Sequence, residues 1–180
     1  WDAEVFFDYL DKLGLPRNKK VKDYSRGMQM KLQIATALSH HAKLLIMDEP
    51  TGGLDPIVRN EILDIFMEFI QDSEHTVFLS SHIITDLERI ADNIVFIHKG
   101  QILLAENKDL VAERHGILKC SKEEFAMVDE EDVIGYRKSS FGIEALVGDL
   151  EKCQAKYKGM FCEKTSLEEI MLFYVNNTEI

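Results

Sequence analysis

No stretch of the 180 residues approaches the ~20 consecutive apolar positions that a membrane-spanning helix requires, and no signal-peptide pattern is visible. Cysteine is scarce. Cys120, Cys153 and Cys162 are odd in number and include no C-x-x-C pair, which sets aside a disulfide-stapled fold and reads as reduced thiols of a cytosolic protein. Internal repeats and low-complexity runs are absent. A basic lobe is absent too: residues 1–90 hold 10 basic and 15 acidic side chains, the remainder 11 and 17, for a net charge of -11. Nucleic-acid binding as the main task needs a clustered basic face, so nucleic acid is not expected as a partner. The first residue is Trp1 rather than Met, and the chain is expected to be a piece of a longer one.

What is present suits a folded domain. A composition 46% hydrophobic and 29% charged is that of a globular protein, and a chain of this length buries about 70% of its unfolded surface. Val5, Phe6, Tyr9 and Leu10 recur at helical spacing over residues 3–13, with Gly14 as a stop. Arg17 to Lys22 reads as a solvated basic approach to the next helix, or else as a phosphate or partner contact. Ser25 can cap a helix over 26–39 with Met28, Leu32, Ala35 and Leu38 as its apolar stripe. Leu44 to Met47 is an unbroken apolar run, which predicts a strand buried on both faces. Asp55 and Pro56 open a helix that turns Ile62, Ile65, Phe66, Phe69 and Ile70 inward. Thr76 to Ser80 reads as a strand and 82–91 as a helix with Ile83, Leu87 and Ile90 inward. Asn93 to His98 and Gln101 to Ala105 form a hairpin about Lys99-Gly100. Strands alternating with helices predict a parallel sheet. From about residue 107 the pattern weakens into a small α+β appendage. Ile117 to Cys120 and Val133 to Arg137 are its candidate strands, and a capping box from Ser166 to Glu169 opens a last helix.

The chemistry gathers at Leu44-Leu45-Ile46-Met47-Asp48-Glu49-Pro50. An apolar strand that ends in two acids sets Asp48 and Glu49 at a strand's C-terminal edge, where open α/β sheets bind ligands. One acid can hold Mg²⁺, a hard ion that prefers oxygen, while the other orients and activates water. Thr51-Gly52-Gly53-Leu54-Asp55-Pro56 follows at once. Tyr24-Ser25-Arg26-Gly27-Met28-Gln29 stands upstream and Ser80-Ser81-His82 downstream.

In these motifs and their order the sequence resembles the ATP-binding-cassette family over residues 1–106, the C-terminal part of its nucleotide-binding domain, with 107–180 as an accessory region. The resemblance implies a partial P-loop NTPase fold of the RecA-like type, a parallel sheet with flanking helices. Ser25 and Gly27 then belong to the LSGGQ-type signature, Asp48 and Glu49 end the Walker B strand, Gly53-Leu54-Asp55 is the D-loop and His82 the switch histidine. Glu49 and His82 are the implied catalytic residues, Asp48 the metal ligand, and Ser25, Gly27 and Asp55 the nucleotide contacts, with ATP and Mg²⁺ as cofactors. The signature would face ATP held by a second nucleotide-binding subunit, and a transmembrane permease would be the other partner, at the inner face of the cell membrane. A hydroxyl and free amides at a helix N-terminus suit that anionic ligand.

Two departures stand out. Arg26 and Met28 replace the commoner Gly and Gln of the signature, a YSxGM form similar to that of a subgroup of bacterial exporter and resistance ATPases. No G-x-x-x-x-G-K-[ST] loop occurs, since Lys138-Ser139 and Lys164-Thr165 follow Arg137 and Glu163 rather than Gly. The Walker A half of the domain is therefore expected to be missing, and the chain alone to be inactive. A soluble ATP-binding-cassette enzyme of DNA repair or chromosome work is a second reading, weakened by the lack of heptads. A catalytically silent signature donor is a third, disfavoured by Glu49 and His82.

Overall fold

The computed structural model describes residues 1–140 and 142–177. The chain forms two compact units, Trp1–Ile90 and Ala91–Ile180.

In the first unit the three longer helices begin on side-chain caps that the sequence supplies. Asp2 accepts the Glu4 and Val5 amides at 3.0 and 3.1 Å to start α1 (Ala3–Lys12), which stops before Gly14 at φ +65°. Ser25 caps α2 (Arg26–Leu38), and Asp55 caps α3 (Pro56–Phe69), whose first residue is the proline that needs no amide partner there. The strands β1 (Leu44–Asp48) and β2 (Thr76–Ser80) pair in parallel, in register from Leu44↔Thr76 to Asp48↔Ser80. Leu45 is buried among Ile34, Ala35 and Leu38 of α2 and Ile62, Ile65 and Phe66 of α3, with Met47, Val77 and Leu79 packed against the same cluster.

Burial of β1 on both faces, expected from its unbroken apolar run, is not what forms. Successive side chains of a strand point to opposite faces, and the helices of the unit cover only the face of Leu45 and Met47. Leu44 is 51% exposed, Ile46 71% and Phe78 on β2 64%. Ile34, fully buried, is the stripe residue of α2 that the spacing argument omitted. The helix expected over 82–91 is shorter, α4 (Ile84–Ile90), and its deepest side chain is not apolar. Ile83, Leu87 and Ile90 are half-buried, whereas Asp86 is 2% exposed. A buried carboxylate needs a partner, and Arg59 of α3 supplies it: its Nε donates to Asp86 Oδ1 at 2.6 Å and its Nη2 to Thr85 Oγ1 at 2.7 Å.

The second unit opens with the hairpin β3 (Asn93–His98) and β4 (Gln101–Asn107). Lys99 and Gly100 both adopt positive φ, 47° and 77°, as a two-residue type I′ turn requires. Then come α5 (Lys108–Arg114), β5 (Gly116–Cys120), the short α6 (Lys122–Phe125), β6 (Val133–Ser139), β7 (Gly142–Val147), α7 (Leu150–Lys156), β8 (Phe161–Lys164) and α8 (Leu167–Asn177). Four of these strands make an antiparallel sheet in the order β6-β7-β5-β8. Leu118, Ala145, Val147, Cys153 and Tyr157 form a core there. The Glu169 amide donates to Ser166 Oγ at 3.2 Å, but the Glu169 carboxylate lies 2.9 Å from Arg137 of β6. The fully reciprocal capping box stands at Ser121 and Glu124.

Candidate functional site

The parallel register brings the ends of β1 and β2 level, and the acids of one strand meet the polar end of the other. Ser80 lies directly across from Asp48. Its hydroxyl donates to Asp48 Oδ1 at 2.5 Å and accepts the Glu49 amide at 3.0 Å. Asp48 is exposed, and its Oδ2 has no hydrogen-bond partner among the described residues. Past Asp48 the chain turns sharply. Glu49 adopts φ 47°, a left-handed conformation that is costly for a residue with a Cβ. Its carbonyl accepts the Gly52 amide at 3.1 Å, and a Cβ on Gly52 would come 3.3 Å from Glu49 Oε2. The carboxylate therefore sits back over the Gly52 backbone. Two residues beyond Ser80, His82 is 71% exposed and holds Nδ1 2.6 Å from Glu49 Oε2. That is an ion-pair distance without hydrogen-bond alignment. Asp48, Glu49 and His82, singled out in the sequence from two separate segments, thus occupy one strand edge. Ser80, named there only as part of a motif, is the group that joins them. The signal for it was a hydroxyl at the end of the strand paired with β1.

The other predicted residues form a second locus, at the first turns of α2 and α3. Ser25 Oγ accepts the Met28 amide at 3.3 Å as the N-cap of α2. Gly27 is buried, and a Cβ there would meet Val58 Cγ1 at 2.7 Å, so the glycine lets α2 approach α3. Arg26, the substitution in the signature, lies over the turn of Gly53. That glycine has φ +67°, and a Cβ on it would fall 2.5 Å from Arg26 Nη1. Asp55 Oδ1 accepts the Ile57 and Val58 amides at 3.1 Å each. Among the described residues no hydrogen bond or ion pair joins Ser25, Gly27 or Asp55 to Asp48, Glu49 or His82.

The donor set suits a hard divalent ion that keeps much of its own shell. Asp48 offers an unengaged carboxylate oxygen, and Mg²⁺ is commonly bound by one or two carboxylates together with waters and phosphate oxygens. Among the described residues no group of three or more His, Cys, Asp or Glu could hold a metal ion by itself. No helix is long and apolar enough to cross a membrane, again among the described residues.

Residues 2–52 match the family model described as ABC transporter. The chain is 44% identical over 102 residues to the lantibiotic transport ATP-binding protein SrtF of Streptococcus pyogenes, covering 56% of this chain and 44% of that protein. It is 39% identical over 108 residues to the bacitracin transport ATP-binding protein BcrA of Enterococcus faecalis, covering 59% and 34%. The chain thus spans less than half the length of these curated relatives. Among solved structures, MJ1267, an ATP-binding cassette of an ABC transporter, superposes with a TM-score of 0.53 at 24% identity, covering 59% of this chain and 43% of that one. That likeness supports the fold, an α/β arrangement of parallel strands with flanking helices. Part of the chain is thus similar to the ABC transporter family model and to ATP-binding proteins of transport systems.

Proposed function

We propose that these residues serve an ATP-hydrolysing subunit that powers transport through a separate membrane permease. The observation that carries this reading is the single strand edge where Asp48, Glu49, Ser80 and His82 converge. Asp48 would hold Mg²⁺ through its unengaged oxygen, and the ion when bound neutralises phosphate charge. Glu49 orients the attacking water and accepts its proton. His82, held at the Glu49 carboxylate, donates a hydrogen bond toward the γ-phosphate, where charge redistributes in the transition state. Ser25 and Gly27, at the start of α2, present amides and a hydroxyl to ATP bound by a second nucleotide-binding subunit, and Asp55 holds the D-loop beside them. The names of SrtF and BcrA speak of lantibiotic and bacitracin transport. From them we extend to this chain only the coupling to transport, at the cytoplasmic face of the cell membrane. Functionally we assign residues 1–106 to the nucleotide-binding domain and 107–180 to an accessory region separable from the chemistry.

These 180 residues contain no G-x-x-x-x-G-K-[ST] loop. The amide row and lysine that offset β- and γ-phosphate charge must come from outside them, so the chain alone neither binds MgATP tightly nor hydrolyses it. Glu49→Gln, in an ATPase that joins this segment to a phosphate loop, is the test. Turnover is expected to fall ~10²–10⁴-fold, as for loss of a positioned acid–base group, with MgATP binding and nucleotide-driven dimerisation retained. Steady-state hydrolysis within twofold of the parent would overturn the assignment. The 180-residue chain alone serves as the blank in titration calorimetry.

A further inference from the structure

Ser80 has no role in the reading above beyond standing at the strand end, yet among the described residues it is the side chain hydrogen-bonded to both Asp48 and Glu49. Its single oxygen does two jobs at once. The hydroxyl proton goes to Asp48 Oδ1 and a lone pair takes the Glu49 amide. The two bonds polarise each other, since a hydroxyl that accepts an N–H is a better donor to a carboxylate. The first bond restricts rotation of the Asp48 carboxylate and leaves Oδ2 as the available oxygen. The second pins the amide of a residue held at φ 47°, a backbone state that persists only where its surroundings over-determine it. The same strand end carries His82, whose ring meets the Glu49 carboxylate. One hydroxyl therefore ties the metal-side acid, the water-side acid and the strand that bears the histidine.

We propose that Ser80 is a positioning residue for hydrolysis, which orients the Asp48 carboxylate toward the metal and clamps the left-handed turn that aims Glu49. This rests on the hydrolytic reading given above. A plain staple between strands is the competing role, and the ladder itself argues against it. The β1–β2 pairing already runs from Leu44↔Thr76 to Asp48↔Ser80 through the backbone. What the hydroxyl adds lies beyond the last pair, at Glu49. Neither alanine nor valine can supply both a donor and an acceptor there. Threonine can, and it suits a strand position.

The first measurement needs no nucleotide. In the 180-residue chain, amide hydrogen exchange at Glu49 is expected to quicken in Ser80→Ala and to stay slow in the parent and in Ser80→Thr, with the other amides of β1 and β2 unchanged. The second uses the ATPase that joins this segment to a phosphate loop. There kcat is expected to fall about 10- to 100-fold in Ser80→Ala, the usual cost of losing a group that orients a metal-binding or catalytic side chain. KM should hold, the Mg²⁺ concentration for half-maximal turnover should rise, and Ser80→Thr should restore the parent values. Should Ser80→Ala fail to fold, Ser80→Cys, close in shape but a weak hydrogen-bonding group, carries both measurements and is expected to lose Glu49 protection and kcat in the same directions. Unchanged Glu49 exchange, or kcat within twofold of the parent in a variant that folds, would overturn the proposal. Glu49→Gln, run alongside, separates the two failures. If it abolishes turnover while Ser80→Ala does not, only the role of Ser80 is lost; if it too turns over normally, the hydrolytic reading falls with it.

Discussion

A glycine at position 27 can serve either of two physical purposes, and one substitution distinguishes them. A phosphate-binding helix start benefits from a bare backbone, but the structure gives Gly27 a packing reason independent of any ligand. Its missing Cβ would sit 2.7 Å from Val58 Cγ1 and 3.5 Å from Val58 Cβ. The first distance forces something to move; the second is ordinary contact. Val58 is stiff in a helix, where one χ1 rotamer dominates, so the clash is not relieved cheaply. Overpacking of this kind costs about 1–3 kcal/mol, against which alanine recovers up to ~1 kcal/mol of helix propensity over glycine. Gly27→Ala should therefore destabilise the first unit by about 1 kcal/mol, a fall of ~4–8 °C in Tm for a unit of this size. Val58→Ala deletes Cγ1 and keeps the harmless Cβ. The double variant should be more stable than the sum of the singles by about 1–2 kcal/mol, within the range seen for residues in direct contact. Thermal and urea melts of the four proteins by circular dichroism measure the cycle. Additive effects would show that Gly27 does not carry the α2–α3 contact, and the argument from packing would be wrong.

His82→Ala, in the ATPase that joins this segment to a phosphate loop, should lower kcat more than it lowers ATP affinity, because the imidazole meets the Glu49 carboxylate at the proposed site; equal losses in both would make His82 a binding or packing residue. His115 gives a pH dependence to the second unit. The ring is fully buried between the Val111 carbonyl, 2.8 Å from Nδ1, and the Tyr174 hydroxyl, 3.3 Å from Nε2. Burial pushes its pKa below the ordinary histidine value, with Arg114 adding to the shift and Glu106 opposing it. The unfolded chain takes up the proton first, so this stability is complete above about pH 6.5 and is lost as pH falls through the lower folded pKa. Melts of parent and His115→Gln between pH 7.5 and 5 should diverge on the acid side, and parallel curves would refute the assignment.

The fold was legible where local chemistry dictates it. Ser25 and Asp55 announce helix starts because few other side chains can take up free amides, and Lys99-Gly100 announces its turn because positive φ is needed there; Asp2, which caps α1 in the same way, went unread. The strand edge was legible for the same reason, since two acids after an apolar run have few folding uses. Burial was less legible because it depends on what packs alongside. Leu44 and Ile46 are as apolar as Leu45, and the sequence carries no mark of which face the helices cover. Asp86 shows the converse. A carboxylate in a helix reads as solvent-facing until Arg59, distant in sequence, is known to meet it. The appendage was read least well because β7 and β8 owe their place to pairing with β5, a non-local contact that leaves weak local periodicity.

Ser25, Gly27 and Asp55 have structural duties sufficient to explain them: two are helix caps and one is a close approach. Glu49 has none. Its backbone is left-handed, a state that costs a residue with a side chain roughly 1–2 kcal/mol. Its ion pair with the exposed ring of His82 returns little, as such surface pairs typically do. Nothing in folding requires a carboxylate at that turn, so we propose that the strain is tolerated for the position of the acid. A substitution that keeps the turn but removes the Cβ should expose this. Glu49→Gly relieves the strain and concedes ~0.4–1 kcal/mol to the freer unfolded chain, for a net effect between neutral and about 1.5 kcal/mol stabilising. Most point mutations instead cost about 1 kcal/mol. Urea melts of the 180-residue chain measure the difference, with Glu49→Ala as the control that loses the carboxylate and keeps the strain. If glycine is no more stable than alanine at this position, the left-handed turn is not strained, and the inference from strain to function at Glu49 fails.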